Sequence, residues 1–225
     1  MNTGIADAVD LGWKLAATLN GWGGDRLLAS YEIERRPIGA RNVSMATELY
    51  FGVRKHSNGT AAIEEDSPAG SQVRMRVGEA LVRDIDRGFR NTGLQIGYRY
   101  EDSPICVPDG TPPNPDDPTD YIPSARPGSR APHAWLADGR STLDLFGRGF
   151  VLLRLGSKAP DVSAIKSAAA AQRVPLEIAT ATEPNVVELY QSRLVLVRPD
   201  GHVVWRGDDP PPIAALIDKV RGAEA

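Results

Sequence analysis

The chain has 225 residues with 26 basic and 29 acidic side chains and a net charge of −3, which gives no basic field for a phosphate backbone and excludes nucleic acid as the expected partner. Its single cysteine, Cys106, excludes an internal disulfide framework and any all-cysteine metal site, and His56, His133 and His202 stand too far apart for a zinc spacing. The apolar stretches are short and broken by charge, and no basic-then-hydrophobic leader is present, so the expectation is no membrane span, no signal peptide and a cytoplasmic location.

From Gly4 to Leu19 the apolar residues Ile5, Ala8, Val9, Leu15, Ala16 and Leu19 recur at helical spacing, with Asn2 or Thr3 available as the cap and Gly21 near the exit. Leu11 and Trp13 widen that surface beyond one stripe, which predicts a helix covered on more than one side. Gly21-Trp22-Gly23-Gly24-Asp25 reads as a turn, and Asp25 can cap a second helix through Leu27, Leu28 and Tyr31. Pro37 should kink that helix or begin a new turn. Residues 52–70 read mostly as loop, and a third helix is predicted over 71–90, where Val73, Val77, Leu81, Ile85 and Phe89 are spaced by four. Residues 94–100 read as a strand that points Tyr98 and Tyr100 to the same face.

Pro104 to Pro132 then contains nine prolines among aspartates and glycines, a composition that cannot hold a regular element for long. The expected organisation is a helical segment with one strand over 1–103, a proline-rich connection over 104–130 and an α/β domain over 131–225. In that last part strands are predicted near 134–137, 149–155, 174–180, 194–198 and 202–206, with helices at 161–171, 185–190 and 211–221. Pro199-Asp200-Gly201 between two apolar runs predicts an antiparallel hairpin, and the whole describes a three-layer domain with a mixed sheet.

Few single residues ask for a chemical role. Arg35, Arg36 and Arg41 stand among Glu32 and Glu34 and read as a solvated or interdomain face. Asp10 and Lys14 have the i,i+4 spacing of a helical ion pair. His202 and Trp205 fall on opposite phases of a strand and do not form a site together, while His133 is placed to hydrogen-bond across a domain interface. Cys106 has no Cys-x-x-Cys partner, which removes a dithiol reading.

The run Met1-Asn2-Thr3-Gly4-Ile5-Ala6-Asp7-Ala8-Val9-Asp10-Leu11-Gly12-Trp13-Lys14-Leu15 resembles the segment after the glycine-rich flavin loop in FAD-dependent aromatic hydroxylases of the p-hydroxybenzoate hydroxylase type. The resemblance continues through Tyr31-Glu32-Ile33-Glu34-Arg35-Arg36-Pro37, Gly97-Tyr98-Arg99-Tyr100, Arg126-Pro127-Gly128-Ser129-Arg130-Ala131-Pro132-His133 and Arg198-Pro199-Asp200-Gly201-His202. It is strongest for the subset acting on phenolic or polyketide aromatics with a thioredoxin-like C-terminal domain. It implies an α/β protein in which a helical remnant of a flavoprotein monooxygenase precedes that domain. Met1, Asn2, Thr3 and Gly4 would lie at the pyrimidine end of the isoalloxazine ring, and the strand with Tyr98 and Tyr100 would line or back the substrate cavity. The parent would use FAD with NAD(P)H and O2, and no residue here is assigned as a catalytic acid or base. At position 10 the family pattern more often has asparagine, and here stands Asp10.

The glycine-rich dinucleotide fingerprint and the family's two flavin-contacting Asp-Gly and Gly-Asp segments are missing, so roughly half to three fifths of such an enzyme is not represented. Met1 coincides with a methionine of the motif itself, and a misassigned start or a truncation is the expected cause. The isolated chain is then expected to be inactive, to hold no FAD stably, and to expose the apolar face of its first helix, associating with itself or with a missing N-terminal half. The alternative is a non-enzymatic, thioredoxin-like interaction or oligomerisation protein.

Overall fold

A computed structural model describes residues 2–57 and 61–223, which form seven α-helices and one four-stranded sheet. Helix α1 spans Asn2–Leu19 and α2 spans Ala29–Ser57. Between them Gly21 takes a left-handed φ of +69°, and residues 25–28 form a turn, so α2 begins four residues after Asp25. The helix continues through Pro37: one missing donor in a 29-residue helix is tolerated where the flanking ladder is long. Helix α3, Pro68–Phe89, starts at Ser67, whose hydroxyl accepts from the Gly70 N–H at 3.0 Å, with Pro68 at the first helical position. Residues 52–70, expected to be mostly loop, are thus helical up to Ser57 and again in a 3₁₀ turn at Ala61–Glu64.

The strand expected over 94–100 does not form. Thr92–Ile96 is a short helix, α4, and residues 97–100 carry no assigned strand. The proline-rich connection meets this segment instead of a sheet edge: the Leu94 N–H donates to the Pro118 carbonyl at 2.9 Å, and the Thr92 hydroxyl to the Thr119 carbonyl at 3.1 Å. The same-face placement of Tyr98 and Tyr100 survives, with ring centroids 5.8 Å apart.

In the C-terminal part β1 is Phe150–Leu155, α5 Ser163–Ala171, β2 Leu176–Ala181, α6 Pro184–Tyr190, β3 Leu194–Val197, β4 Val203–Gly207 and α7 Ile213–Val220. The sheet order is β2-β1-β3-β4, with β1 parallel to β2 and antiparallel to β3, and β3 antiparallel to β4 across the Pro199-Asp200-Gly201 turn. This is a thioredoxin-like mixed sheet with helices on both faces. The strand expected at 134–137 is reduced to a single bridge between Trp135 and Ser141, because Asp138-Gly139 turns the chain back at once, with Gly139 at φ +84°.

Both faces of β1 are covered, which is why Phe150-Val151-Leu152-Leu153 reads as an unbroken apolar run. Val151, Leu153 and Leu155 pack with Val186 and Tyr190 of α6. Phe150 and Leu152 face the other way, and their core is shared with Ile165, Leu216 and Ile217 and also with Trp13, Trp22 and Leu27 of the helical segment. Trp13 and Trp22 stack at 6.3 Å, and Phe150 meets both edge-on at 6.0 and 6.1 Å. Helix α1 is therefore buried on the Trp13 and Ala17 side, while Ile5, Val9 and Leu19 are 60%, 51% and 86% exposed.

Gly128 joins the Tyr98–Tyr100 segment to the hairpin. Its N–H donates to the Val203 carbonyl at 2.7 Å, and its carbonyl accepts from the Tyr100 N–H at 3.0 Å. Its φ is +88°, and a Cβ there would stand 2.6 Å from the Tyr100 carbonyl oxygen. Gly128→Ala is expected to destabilise the protein by about 3 kcal/mol, the upper end of the usual cost of a strained backbone position. Urea unfolding of the two proteins checks this, and a loss within the scatter of surface substitutions would contradict it.

Candidate functional site

Three segments distant in sequence converge on the middle of α1. Helix α1 brings Asp7, Asp10 and Lys14 to one side, helix α2 brings Glu34, Arg35 and Asn42, and the β3–β4 turn brings Arg198, Asp200 and His202. At the centre lies the fully buried Arg198. Its two terminal nitrogens donate to the two oxygens of Glu34, each at 2.7 Å, in the fork geometry that suits guanidinium and carboxylate. Nη2 also reaches Asp10 at 2.7 Å and Asp200 at 2.6 Å, and Nε reaches Asp200 at 2.7 Å. Lys14 donates to Asp10 at 2.8 Å and to Glu34 at 2.6 Å, and Ser103, immediately before the connection, donates to Glu34. The guanidinium carbon of Arg198 sits 4.6 Å from the Tyr100 ring centroid and 5.4 Å from that of Trp13.

Two cations face three carboxylates here, which leaves one negative charge over if all are ionised. Burial pushes Asp10 up to about 7, against the pull of Arg198 and Lys14 and with the help of Glu34 and Asp200. Burial also opposes ionisation of Glu34, but Arg198 and Lys14 outweigh it and hold the carboxyl down at about 2. In Asp200 burial is likewise overcome by Arg198 and then His202, and its carboxyl lies well below the ordinary range. Asp10 is thus the carboxyl of the cluster that protonates first as pH falls, which would bring the cluster to neutrality.

Around this centre stands an aromatic layer. Arg35 donates from Nε to Asp7 at 2.8 Å and from Nη1 to the Tyr100 hydroxyl at 3.2 Å, and it lies 5.0 Å over the Tyr98 ring. His202 is tilted against Tyr100 at 4.4 Å and Tyr98 at 5.4 Å, with Nδ1 3.5 Å from Asp200. Burial raises the Tyr100 phenol, which stays protonated. Arg35, Tyr98, Tyr100, Asp200 and His202 line an open cleft of about 810 Å³ together with Asn2, Thr3 and Asn42, and Asn42 donates to the Thr3 hydroxyl at 3.1 Å.

Of the residues singled out from the sequence, Asn2, Thr3, Tyr98 and Tyr100 meet at this cleft. Gly4 is exposed on α1 with open space around its Cα, and Met1 lies outside the described residues. The Asp10–Lys14 pair forms, in the interior rather than on the surface. The three arginines part company: Arg36 pairs with Glu32 in solvent at 3.4 Å, Arg41 grips Asp116 of the connection at 2.6 and 3.0 Å, and Arg35 is buried. His133 bonds Ser141 at 2.7 Å, eight residues on within its own domain, and so does not reach across an interface. Cys106 is buried and its thiol pushed up to about 11, which leaves it inert. Glu34, Arg198 and Asp200 were not distinguishable in the sequence, since charges on a helix and in a Pro-Asp-Gly turn read as solvated. Among the described residues no cluster is arranged to hold a metal ion, and no helix is long and apolar enough to cross a membrane.

Removing one member of a buried ionic cluster leaves the others uncompensated, so Arg198→Met is expected to cost about 3–5 kcal/mol at neutral pH in a urea titration. The pH dependence has a definite sign. Asp10 is raised from 3.8 to about 7 in the folded protein, so its contribution is fully present below pH 3.8 and is lost as pH rises through 7. Glu34, lowered from 4.5 to about 2, contributes above pH 4.5 and is lost as pH falls. Asp10→Asn should therefore flatten the fall in stability between pH 3.8 and 7 and leave the acid limb in place. An unchanged slope in that window would mean that Asp10 is not the proton carrier.

The family of the aromatic-ring hydroxylase C-terminal domain matches residues 124–223, and the FAD-binding domain family matches residues 1–46. The structure of the rebeccamycin biosynthetic enzyme RebC with reduced flavin superimposes on the whole chain with a TM-score of 0.88 at 46% identity, over 42% of that protein's chain. The flavin-dependent monooxygenase PieE, solved with FAD and substrate, matches 98% of this chain and 44% of its own at 30% identity and a TM-score of 0.80. The FAD-dependent monooxygenase apdD of Emericella nidulans is 38% identical over 229 residues, covering 92% of this chain and 35% of that protein. The chain thus spans less than half the length of these relatives. With the fold, the order of motifs and both family matches in agreement, it is a homologue of the FAD-dependent aromatic hydroxylases.

Proposed function

We propose that this chain supplies the isoalloxazine-facing helix and the C-terminal domain of an FAD-dependent monooxygenase that hydroxylates a phenolic or polyketide aromatic ring with NAD(P)H and O2. The observation that carries the reading is the position of Asn2 and Thr3, inside the segment matched by the FAD-binding domain family and on the rim of the cleft backed by Tyr98 and Tyr100. The residues present suit such a ring. Helix α1 runs for 18 residues with no acidic side chain in its first turn, so its positive end faces the opening unopposed, and Gly4 offers no side chain to obstruct a planar group. When bound, FAD would accept the hydride and activate oxygen. Asn2, Thr3 and the backbone at Gly4 would orient its pyrimidine edge, Tyr98 and Tyr100 would present aromatic faces to the substrate, and the apolar side chains of α1 would exclude water.

In this reading the chain by itself is inactive and does not retain FAD, because affinity for so large a cofactor rests on an adenine and pyrophosphate pocket outside these residues. A chimera in which this chain replaces the matched part of RebC tests it. The chimera is expected to purify yellow and to consume NAD(P)H, and Thr3→Pro should lower flavin retention while a surface control such as Arg36→Ala does not. A folded chimera without flavin would overturn the proposal, and stoichiometric flavin on the chain alone would overturn the part concerning its isolation. A second reading, a non-enzymatic interaction or oligomerisation module, is favoured by the exposed Ile5, Val9 and Leu19. It predicts self-association in gel filtration that Val9→Glu abolishes.

A further inference from the structure

The two edges of the sheet differ in how they are covered. Beyond β4 the flanking chain closes the edge: Val203 donates to the Ser129 carbonyl at 2.9 Å, and the N–H groups of Val107, Gly128 and Ala131 donate to the carbonyls of Val204, Val203 and Gly201 at 2.8, 2.7 and 2.9 Å. At the other edge β2 pairs with β1 alone, in parallel and without a register shift from Phe150↔Leu176 to Leu155↔Ala181. The carbonyls of Pro175 and Ala181 accept from Phe150 and Gly156 at 2.9 Å, so the odd-numbered residues point their peptide groups toward β1. The N–H and C=O groups of Leu176, Ile178 and Thr180 therefore point away from the sheet, and among the described residues no backbone group meets them.

Exposed edges of this kind are usually guarded by a lysine, a proline, a bulge or a covering element. Here Leu176-Glu177-Ile178-Ala179-Thr180-Ala181 contains neither proline nor lysine, its ladder has no bulge, and its one charge is Glu177. Most of its side chains are committed to the two faces of the sheet. Leu176 and Ile178 pack into the core shared with α5, and Ala179 and Ala181 into the core shared with α6. What stays open is the backbone, a template for one more strand.

We propose that this edge pairs antiparallel with the same edge of a second copy about a two-fold axis through Ile178, joining two four-stranded sheets into one of eight strands. The alignment follows from the backbone. In an antiparallel pair, residues with outward peptide groups stand opposite one another, and only the alignment centred on Ile178 gives Leu176, Ile178 and Thr180 of both copies a partner within β2. Leu176 then faces Thr180, and Glu177 faces Ala179, so the two carboxylates lie on a diagonal about 7–8 Å apart instead of face to face. Just beyond the ladder the same alignment sets Arg173 of each copy against Glu183 of the other. Arg173 is exposed, and Glu183 is anchored by the N–H groups of Ala137 and Thr182, each at 2.9 Å. Full use of the outward groups, with opposite charges at both ends, favours a second copy over an unrelated strand. The pairing lies at the opposite edge of the sheet from the hairpin that borders the cleft, and it holds whether or not that cleft takes a flavin.

Sedimentation equilibrium of the chain, with hydrogen exchange followed over residues 176–181, tests this. A dimer is expected, with the amides of Ile178 and Thr180 exchanging more slowly as the chain is concentrated into the dimeric range. Thr180→Pro removes an outward N–H that no bond to β1 uses, so it should give a monomer that melts like the dilute unsubstituted chain. Arg173→Glu should raise the dimer dissociation constant by about fivefold, the upper end for an exposed ion pair, and Glu177→Gln should lower it. If Thr180→Pro unfolds, these two variants and the exchange of the unsubstituted chain carry the test. A monomer up to millimolar chain, or exchange at Ile178 and Thr180 that ignores concentration, would overturn the proposal. So would self-association that Val9→Glu abolishes and Thr180→Pro leaves intact, since that places the contact on α1.

Discussion

The buried guanidinium of Arg198 holds helices α1 and α2 and the β3–β4 turn in one arrangement, and the cleft exists because of it. Glu34, Asp10 and Asp200 come from three separate segments, and each accepts from this one side chain within 2.7 Å. A neutral substitute of similar volume could fill the space but could not specify the angles at which the three segments meet. Such clusters contribute little net stability, because desolvation consumes much of the Coulombic gain. Their value here is geometric: Arg198 also stacks on Tyr100, and Tyr100 in turn holds Arg35 and His202 at the wall of the cleft.

A second, apolar connection makes that geometry rigid. Trp13 and Trp22 pack on Phe150, so the helical segment and the thioredoxin-like domain share a core and cannot rotate against each other without opening it. The domain carries no dithiol chemistry, and its hairpin gives the cleft two of its polar walls through Asp200 and His202. A domain that looks accessory in sequence therefore takes part in building the site. Helix α1 divides its surface accordingly, with Trp13 and Ala17 in the shared core and Ile5 and Val9 beside the cleft.

Much of this was legible from local pattern. The hairpin at Pro199-Asp200-Gly201, the strand pair around Phe150–Leu155 and Leu176–Ala181, and the four-residue spacing of α3 all reflect interactions between near neighbours or continuous apolar runs. Residues 94–100 misled because alternation of Tyr98 and Tyr100 signals an extended segment with one buried face, and a proline-rich connection can cover such a face as well as a sheet can. The connection supplies carbonyl acceptors to Leu94 and Thr92, and that pairing partner has no local signature.

By itself the sequence determined the fold class, the order of elements from β1 to α7 and the kinship with flavin-dependent hydroxylases, because these rest on periodicity, turn residues and motifs read along the chain. Only the tertiary structure decided which charges are buried. Glu34 and Arg36 sit two residues apart on α2, and one is sealed against Arg198 while the other is in solvent. The difference arises from a turn 164 residues away in sequence. Burial, and with it the upward shift of the Asp10 carboxyl and the unpartnered atoms of the cleft, is a property of segments brought together, and no local pattern carries it.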